Sequence, residues 1–368
     1  MFFSSTNDEK LVLILGVESG AVRGSLTLIS PSCAPKVIFS HEALIPWKPH
    51  TDSRYLIKTT EKAVKETVEA SLQRLHMLYS DKKAGDIPRK ISSVHFAMSS
   101  PWIVSRAKLI SVRFDKDTAV DRAYIMKLVG DERAKMIPEQ SEPVRVVEEK
   151  IFDVRLNGYS VNDWQDKGAR ALDISFTVSV AGAHTIDRFA ALCEHAVHPH
   201  QVHFHSSLLL QFIGIEKSLQ TSENYAIIHV HGELTDVAMV HDRSCIFFGS
   251  YPFGVRTMVR KVAASTKTDG HAADSLIALY TGGKLDPAQD KKAGAVIESV
   301  SEGWAKELDK VLLLSPQDIR SSANIVISAR AHEDSLAKML HKLYPAVKIT
   351  AISETDMLPI AINGMEQK

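Results

Sequence analysis

The sequence predicts an α/β protein of two related lobes, with a small α+β module inserted into the first. Three observations predict it. The order strand–turn–strand–turn–strand–helix occurs twice, once from residue 11 and again from residue 225. The text between the copies changes character and contains a strictly alternating strand. The chain, at 368 residues, is longer than one hydrophobic core usually serves.

In the first copy, "LVLILGVESGAVRGSLTLIS" reads as strands over 11–18 and 21–30 joined by a glycine turn, with a third strand over 37–45. A long helix is expected over 52–79, where Val64, Val68, Leu72, Leu75 and Tyr79 recur at helical spacing. The block 91–182 then offers strands over 91–98 and 108–114, a helix over 117–136, and "VRVVEEKIFDVRLNGY" ending in an Asn157–Gly158 turn. Leu172, Ile174, Phe176, Val178 and Val180 alternate along its last strand. A helix (185–198), a strand (201–205) and another helix (206–218) lead to the second copy, "YAIIHVHGELTDVAMVHDRSCIFFGSYPFG". Helices over 271–280 and 287–312, strand 324–328, helix 332–342, strand 347–350 and the segment "LPIAINGM" complete the chain. Trp304, with Val300 and Leu308 four residues to either side, is placed in the core. The divisions expected are 1–90 continued at 183–220 for the first lobe, 91–182 for the inserted module, and 221–368 for the second lobe.

Bulk composition narrows the function. Lys plus Arg equals Asp plus Glu at 44 each, so no global field steers the chain to nucleic acid or acidic lipid. Cys33, Cys193 and Cys245 have no metal-ligand or disulfide spacing, which fits a reducing cytoplasm. The start, MFFSSTNDEK, lacks the form of a signal peptide. No apolar run approaches the eighteen or so residues that cross a bilayer.

The order of motifs resembles the actin-like (ribonuclease-H-like) ATPase superfamily, and within it the bacterial FtsA and PilM branch, which carries an SHS2-type module. The echoes are "LGVESGAVRGSL" and "IIHVHGELTDVAMV" for the two phosphate loops, "VHFAMSSPWIVSR" and "LNGYSV" for the module, "YPFGV" before the following helix, and "LPIAINGM" near the end. The resemblance implies ATP and Mg²⁺ as cofactors. It implies nucleotide-facing candidates at Gly16, Glu18, Ser19, Gly20, Arg23, Gly232, Glu233, Thr235, Asp236 and Ser328. On the PilM side it implies a cytoplasmic scaffold under the type IV pilus, self-associating and binding a short tail of an inner-membrane partner. On the FtsA side it implies an ATP-dependent division or assembly switch whose lobes close on Mg·ATP. The final "AINGMEQK" carries no basic-aromatic tail, which directs the expectation to the PilM-like side.

The motifs depart from the family pattern at every nucleotide-facing element. Glu18 stands where the first loop has an Asp, and Ala21, Val22 and Arg23 replace small hydroxyl residues. His229 and His231 stand where the second loop opens on a carboxylate, although Mg²⁺ prefers oxygen ligands. "IVISARAHEDS" has no glycine where backbone should approach a nucleoside. The expectation is therefore a retained fold with ATPase activity weak or lost and no catalytic residue assigned. Separately, "CEHAVHPHQVHFHSS" places His203 and His205 on one strand face, a candidate for Zn²⁺ or Ni²⁺ against the plainer reading of a solvated connection.

Overall fold

The computed structural model describes residues 9–46, 53–80, 87–137, 142–219, 224–287, 290–316, 324–329 and 332–366. Strands β1 (Lys10–Val17), β2 (Ala21–Ser30) and β3 (Cys33–Leu44) form an antiparallel meander. The long helix α1 (Ser53–Ser80) crosses to β4 (Ile91–Met98), which pairs parallel to β1. β9 (Gln201–Ser206) pairs parallel to β4, giving the sheet order β3-β2-β1-β4-β9. The second lobe repeats the plan. Its meander is β10 (Tyr225–Val230), β11 (Thr235–His241) and β12 (Ser244–Tyr251), and its parallel strands are β13 (Asn324–Ala329) and β14 (Lys348–Ala351), in the order β12-β11-β10-β13-β14. β1 and β10 are apolar along nearly their whole length because both faces of these central strands are covered.

The helices that follow the last strand of each lobe are exchanged. α4 (Ser207–Ser218) follows β9 of the first lobe and lies between the lobes: Leu210 packs with Val12, Ile14 and Ala97 of the first, while Leu208, Leu209, Phe212 and Ile215 pack with Tyr225, Ile227 and Val240 of the second. α9 (Glu354–Met365) follows β14 of the second lobe, yet Leu358, Ala361 and Ile362 pack with Val12, Ile14 and Ala97 of the first. The two helices cross where Gly214 faces Met357, and a Cβ built on Gly214 would lie 2.7 Å from the Met357 carbonyl oxygen. The remaining helices of the second lobe are α5 (Val255–Thr266), α6 (Gly270–Thr281), α7 (Ala295–Leu312) and α8 (Glu333–Leu343). Trp304 is fully buried on α7, as expected, and its indole N–H donates to Thr235 at 3.0 Å.

The third sheet is antiparallel, in the order β5-β8-β6-β7, from β5 (Ile103–Val120), β6 (Val144–Leu156), β7 (Tyr159–Ser160) and β8 (Lys167–Gly182). α2 (Arg122–Met136) lays Ile125 and Val129 against Leu172, Ile174 and Phe176, so the alternating face read from β8 is the core of this module. α3 (Ala183–Val197) returns the chain to β9.

Three expectations are corrected. Residues 91–98, assigned to the inserted block, are β4 of the first sheet, so the module's own sheet begins at β5. Residues 117–120, expected in a helix, extend β5 past a register shift between Arg113 and Thr118; the helix starts only after Asp121, whose carboxylate accepts from Tyr124 N–H at 2.7 Å. The segment 287–312 is helical from Pro287, as expected, but is not one α-helix: Asp290–Gly294 form a π turn ahead of the α-helix Ala295–Leu312, and residues 288–289 lie outside the described residues.

The crossing of α4 and α9 makes a paired prediction. Gly214→Val forces α9 away and should destabilise the fold by about 1–3 kcal/mol. Gly130→Ala in α2, where the nearest atom is the Arg133 side-chain nitrogen at 3.9 Å, should stabilise it by about 0.5–1 kcal/mol. Urea unfolding of both variants measures the contrast.

Candidate functional site

The two hairpin turns, residues 18–20 and 231–234, face each other across the gap between the lobes. Their glycines touch backbone to backbone: a Cβ on Gly20 would lie 2.8 Å from Gly232 Cα, and one on Gly232 would lie 2.5 Å from Gly20 Cα. No other side chain fits at either position. The donors around the contact are turned onto protein acceptors. Ser19 Oγ accepts from Glu233 N–H at 2.8 Å and lies 2.9 Å from His231 Nδ1. The first N–H groups of α5, from Val255 and Arg256, donate to the His231 and Gly232 carbonyls at 3.0 and 2.9 Å. The Arg256 side chain donates to the Gly20 carbonyl at 2.7 Å and also to that of Ile45.

Beneath the turns lies a buried charge network. Arg23 Nη1 sits 3.7 Å from Glu18 and 3.4 Å from Glu354 at the start of α9, while its Nε donates to Glu42 at 2.9 Å. His229 Nε2 lies 3.7 Å from Glu18 and 3.8 Å from Glu354, and its Nδ1 is 2.8 Å from Ser328 Oγ. Ser328 in turn donates to Gln211, and Ser207 donates to Glu354, at 2.7 Å. Glu18, His229 and Glu354 each present one ligand atom within 4.8 Å of the others. This geometry has the shape of a cation site, and the cation already at two of its carboxylates is the Arg23 guanidinium.

The titration of these groups follows from burial against pairing. Burial opposes the Arg23 charge, but Glu18, Glu354 and Glu42 raise its pKa above the ordinary guanidinium value. Burial pushes His229 down to about 4. Burial would raise Glu354, but His229 and Arg23 lower it to about 2. Because His229 is neutral at neutral pH, Arg23 is the charge that then holds Glu354 ionised. Asp236 is likewise lowered to about 2: burial opposes its charge, but His231 and the Ser100 N–H, at 3.0 Å, outweigh it.

Ser19, His231 and Asp236 stand in line, with His231 Nε2 3.3 Å from Asp236. All three are buried, Ser19 and His231 completely. A nucleophile needs an approach for its substrate, so this row acts as a clamp between lobes and not as a triad.

Of the residues expected at the cleft, Glu18, Ser19, Gly20, Arg23, Gly232, Glu233, Asp236 and Ser328 are brought together. Glu233 also pairs with Arg260 on α5, at 3.0 Å for one of its two contacts. Two do not reach the network. Gly16 lies against Leu358 of α9, and Thr235 turns its hydroxyl to the Phe253 carbonyl in the second-lobe core. His203 and His205 stand apart on β9, beside His95. Sequence reading missed Glu354, Gln211 and Arg256. The visible signal for Glu354 was an acidic residue just ahead of the apolar "LPIAINGM", the first-turn acid of a helix.

The repeated strand order, the exchanged terminal helices and the two facing turns define an actin-like two-lobed fold. No protein-family model and no curated protein matches the chain. Among solved structures it is similar to the PilM–PilN type IV pilus biogenesis complex, with a TM-score of 0.62 and 11% identity over 97% of this chain and 98% of that one. It is also similar to the ethanolamine utilization protein EutJ from Carboxydothermus hydrogenoformans, with a TM-score of 0.51 and 9% identity over 96% and 89% of the two chains. The nucleotide-free diol dehydratase-reactivating factor gives 0.51 and 9% over 98% and 100%. At such identities the likeness establishes the fold. Among the described residues, no helix is long and apolar enough to cross a membrane.

The buried network predicts acid sensitivity. As pH falls below 6.5 the unfolded chain protonates His229 while the fold, with its pKa near 4, does not. The unfolded state then binds more protons, so stability falls with pH across that window, by about 1.4 kcal/mol per pH unit from this group alone. Glu354 and Asp236, lowered from 4.5 and 3.8 to about 2, add a loss that begins below their unfolded values. Thermal melts through the acid range should show a midpoint that declines below 6.5, and His229→Asn should flatten the upper part of that decline.

Proposed function

We propose that this chain is a PilM-like scaffold of type IV pilus or related envelope machinery, working without nucleotide turnover. It sits on the cytoplasmic side of the inner membrane, binds a short tail of an inner-membrane partner, and self-associates. The observation that carries the reading is the backbone contact between Gly20 and Gly232, which fills the gap where two phosphate loops would hold a nucleotide between them. The residues do not fit Mg·ATP. The N–H groups of Glu233, Val255 and Arg256 are already bonded to protein acceptors. Arg23 supplies the positive charge beside Glu18 and Glu354 that a metal ion would otherwise supply. His229 and His231 are imidazoles where a hard cation needs oxygen. Ser328 is tied to His229 and Gln211 inside the protein.

A groove suited to a peptide tail lies between the module and the second lobe. It encloses about 740 Å³. Leu109, Ile246 and Phe247 contribute apolar lining, and Arg113, Arg155 and Asp242 contribute charged lining. β5 and β12 are each at the edge of their sheets beside it, the position at which an extended segment would add as a strand.

Isothermal titration with ATP, with and without Mg²⁺, tests the nucleotide half. No saturable heat is expected up to millimolar ATP. Saturable Mg²⁺-dependent binding in the micromolar range would sink the reading and favour the ATP-dependent switch. Fluorescence anisotropy with labelled tails of envelope proteins tests the other half. Binding of one such tail, weakened by about 1–2 kcal/mol or more in Phe247→Asp, is expected; a tail whose binding ignores that change places the partner elsewhere.

A further inference from the structure

A second cluster of ligating side chains lies away from the interlobe network, at the edge of the first sheet. β4 and β9 run parallel with His95 opposite His203 and Ala97 opposite His205. The His95 ring stacks on His203 at 4.8 Å between centroids and on His205 at 5.5 Å. Glu366, just past α9, points its Oε1 at His95 Nε2 from 3.5 Å, while Lys10 holds its other oxygen at 2.8 Å. One ligand atom each from His95, His203 and Glu366 lies within 4.8 Å of the others.

We propose that His95, His203 and Glu366 form a site for a borderline divalent ion, Zn²⁺ first among them, which fastens the end of α9 to the first-lobe sheet. Two imidazoles and one carboxylate are the donor set that suits Zn²⁺ and leaves a fourth position open to water. The outer contacts orient the ligands. His95 Nδ1 is 3.2 Å from His205 Nε2, and His205 Nδ1 is 3.7 Å from Glu148; a proton on His95 Nδ1 shared with His205 is the tautomer that leaves Nε2 for the ion. His203 Nε2 lies 3.0 Å from Gln201 Oε1, a contact that holds the ring beside His95. Ser93 Oγ, 2.9 Å from His95 Nε2, is the hydrogen-bond partner that the ion displaces.

Donor atoms around Zn²⁺ stand roughly 3.3 Å apart. The wider spacing here closes by rotamer changes in His203 and Glu366, the two partly exposed members. The Lys10 charge opposes the ion, and the site is accordingly weaker than a closed structural zinc centre. The site lies on different residues from the scaffold reading and stands or falls without it.

The test uses the full chain, free of any tag and stripped with chelator, titrated with Zn²⁺ alone by calorimetry and followed by thermal melting. One equivalent should bind with a rise in melting temperature. His203→Ala and Glu366→Gln should each weaken that binding by about tenfold or more, while His195→Ala, exposed on α3 and outside the cluster, should leave it unchanged. Substitution with Co²⁺ in the unmutated chain reads the same site without any variant, through visible bands of nitrogen and oxygen ligation. Absence of binding by the stripped chain overturns the proposal. So does binding that neither His203→Ala nor Glu366→Gln alters.

Discussion

The contact between Gly20 and Gly232 is the constraint on which the rest of the arrangement depends. Two backbone segments in direct contact fix the distance between the lobes, and every longer side chain around them then has only one place to go. Arg256 lies over the joint and holds the Gly20 carbonyl from the second lobe. Ser19 reaches across to His231 and to Glu233 N–H. Were either glycine given a side chain, the joint would open and these partners would lose reach together. The close approach, and not any freedom of backbone angle, is the reason for glycine at both positions.

Charge below the joint contributes differently. Burying Glu18 and Glu354 carries a desolvation cost that Arg23 and the surrounding hydroxyls offset only in good geometry. Such a network adds little net stability, but breaking it by moving one partner is costly. It therefore selects one separation of the lobes and penalises the others. Arg23 belongs to β2 of the first lobe and Glu354 to the first turn of α9, so the penalty falls on any motion that slides that helix. The positive charge between these two carboxylates is the Arg23 guanidinium, covalently part of the chain.

Local signals carried the fold some distance. The meanders were legible because each pairs neighbours in sequence across short turns, and β8 was legible because one face of it is buried. The site was half legible. Glu18, Arg23 and Asp236 lie in turns or beside them, where an unusual residue stands out. Glu354 and Gln211 were not, since nothing near them in sequence reveals that α4 and α9 exchange lobes and converge on the same point. The assignment of residues 91–98 failed for a related reason. A short apolar strand pairs equally well with either sheet by its own composition, and only the parallel partner β1 decides it. Likewise residues 117–120 carry no mark against a helix until Asp121 is seen to cap one.

The packing of α4 and α9 bears on how freely the two lobes can move against one another. Two lobes joined only at a cleft can rotate, because the contacts broken are few and polar. Here Phe212 and Ile215 are buried in the second lobe while Leu358 and Ile362 are buried in the first, and the helices that carry them cross at Gly214. Rotation would draw apolar surface out of both lobes at once, at roughly 25 cal/mol for each Å² exposed. The glycine contact and the Arg23 network act at one side of this crossing, and the His95 cluster acts at the far end of α9. The module, held on its own four-stranded sheet, lies outside this crossing and lines one side of the groove it shares with the second lobe.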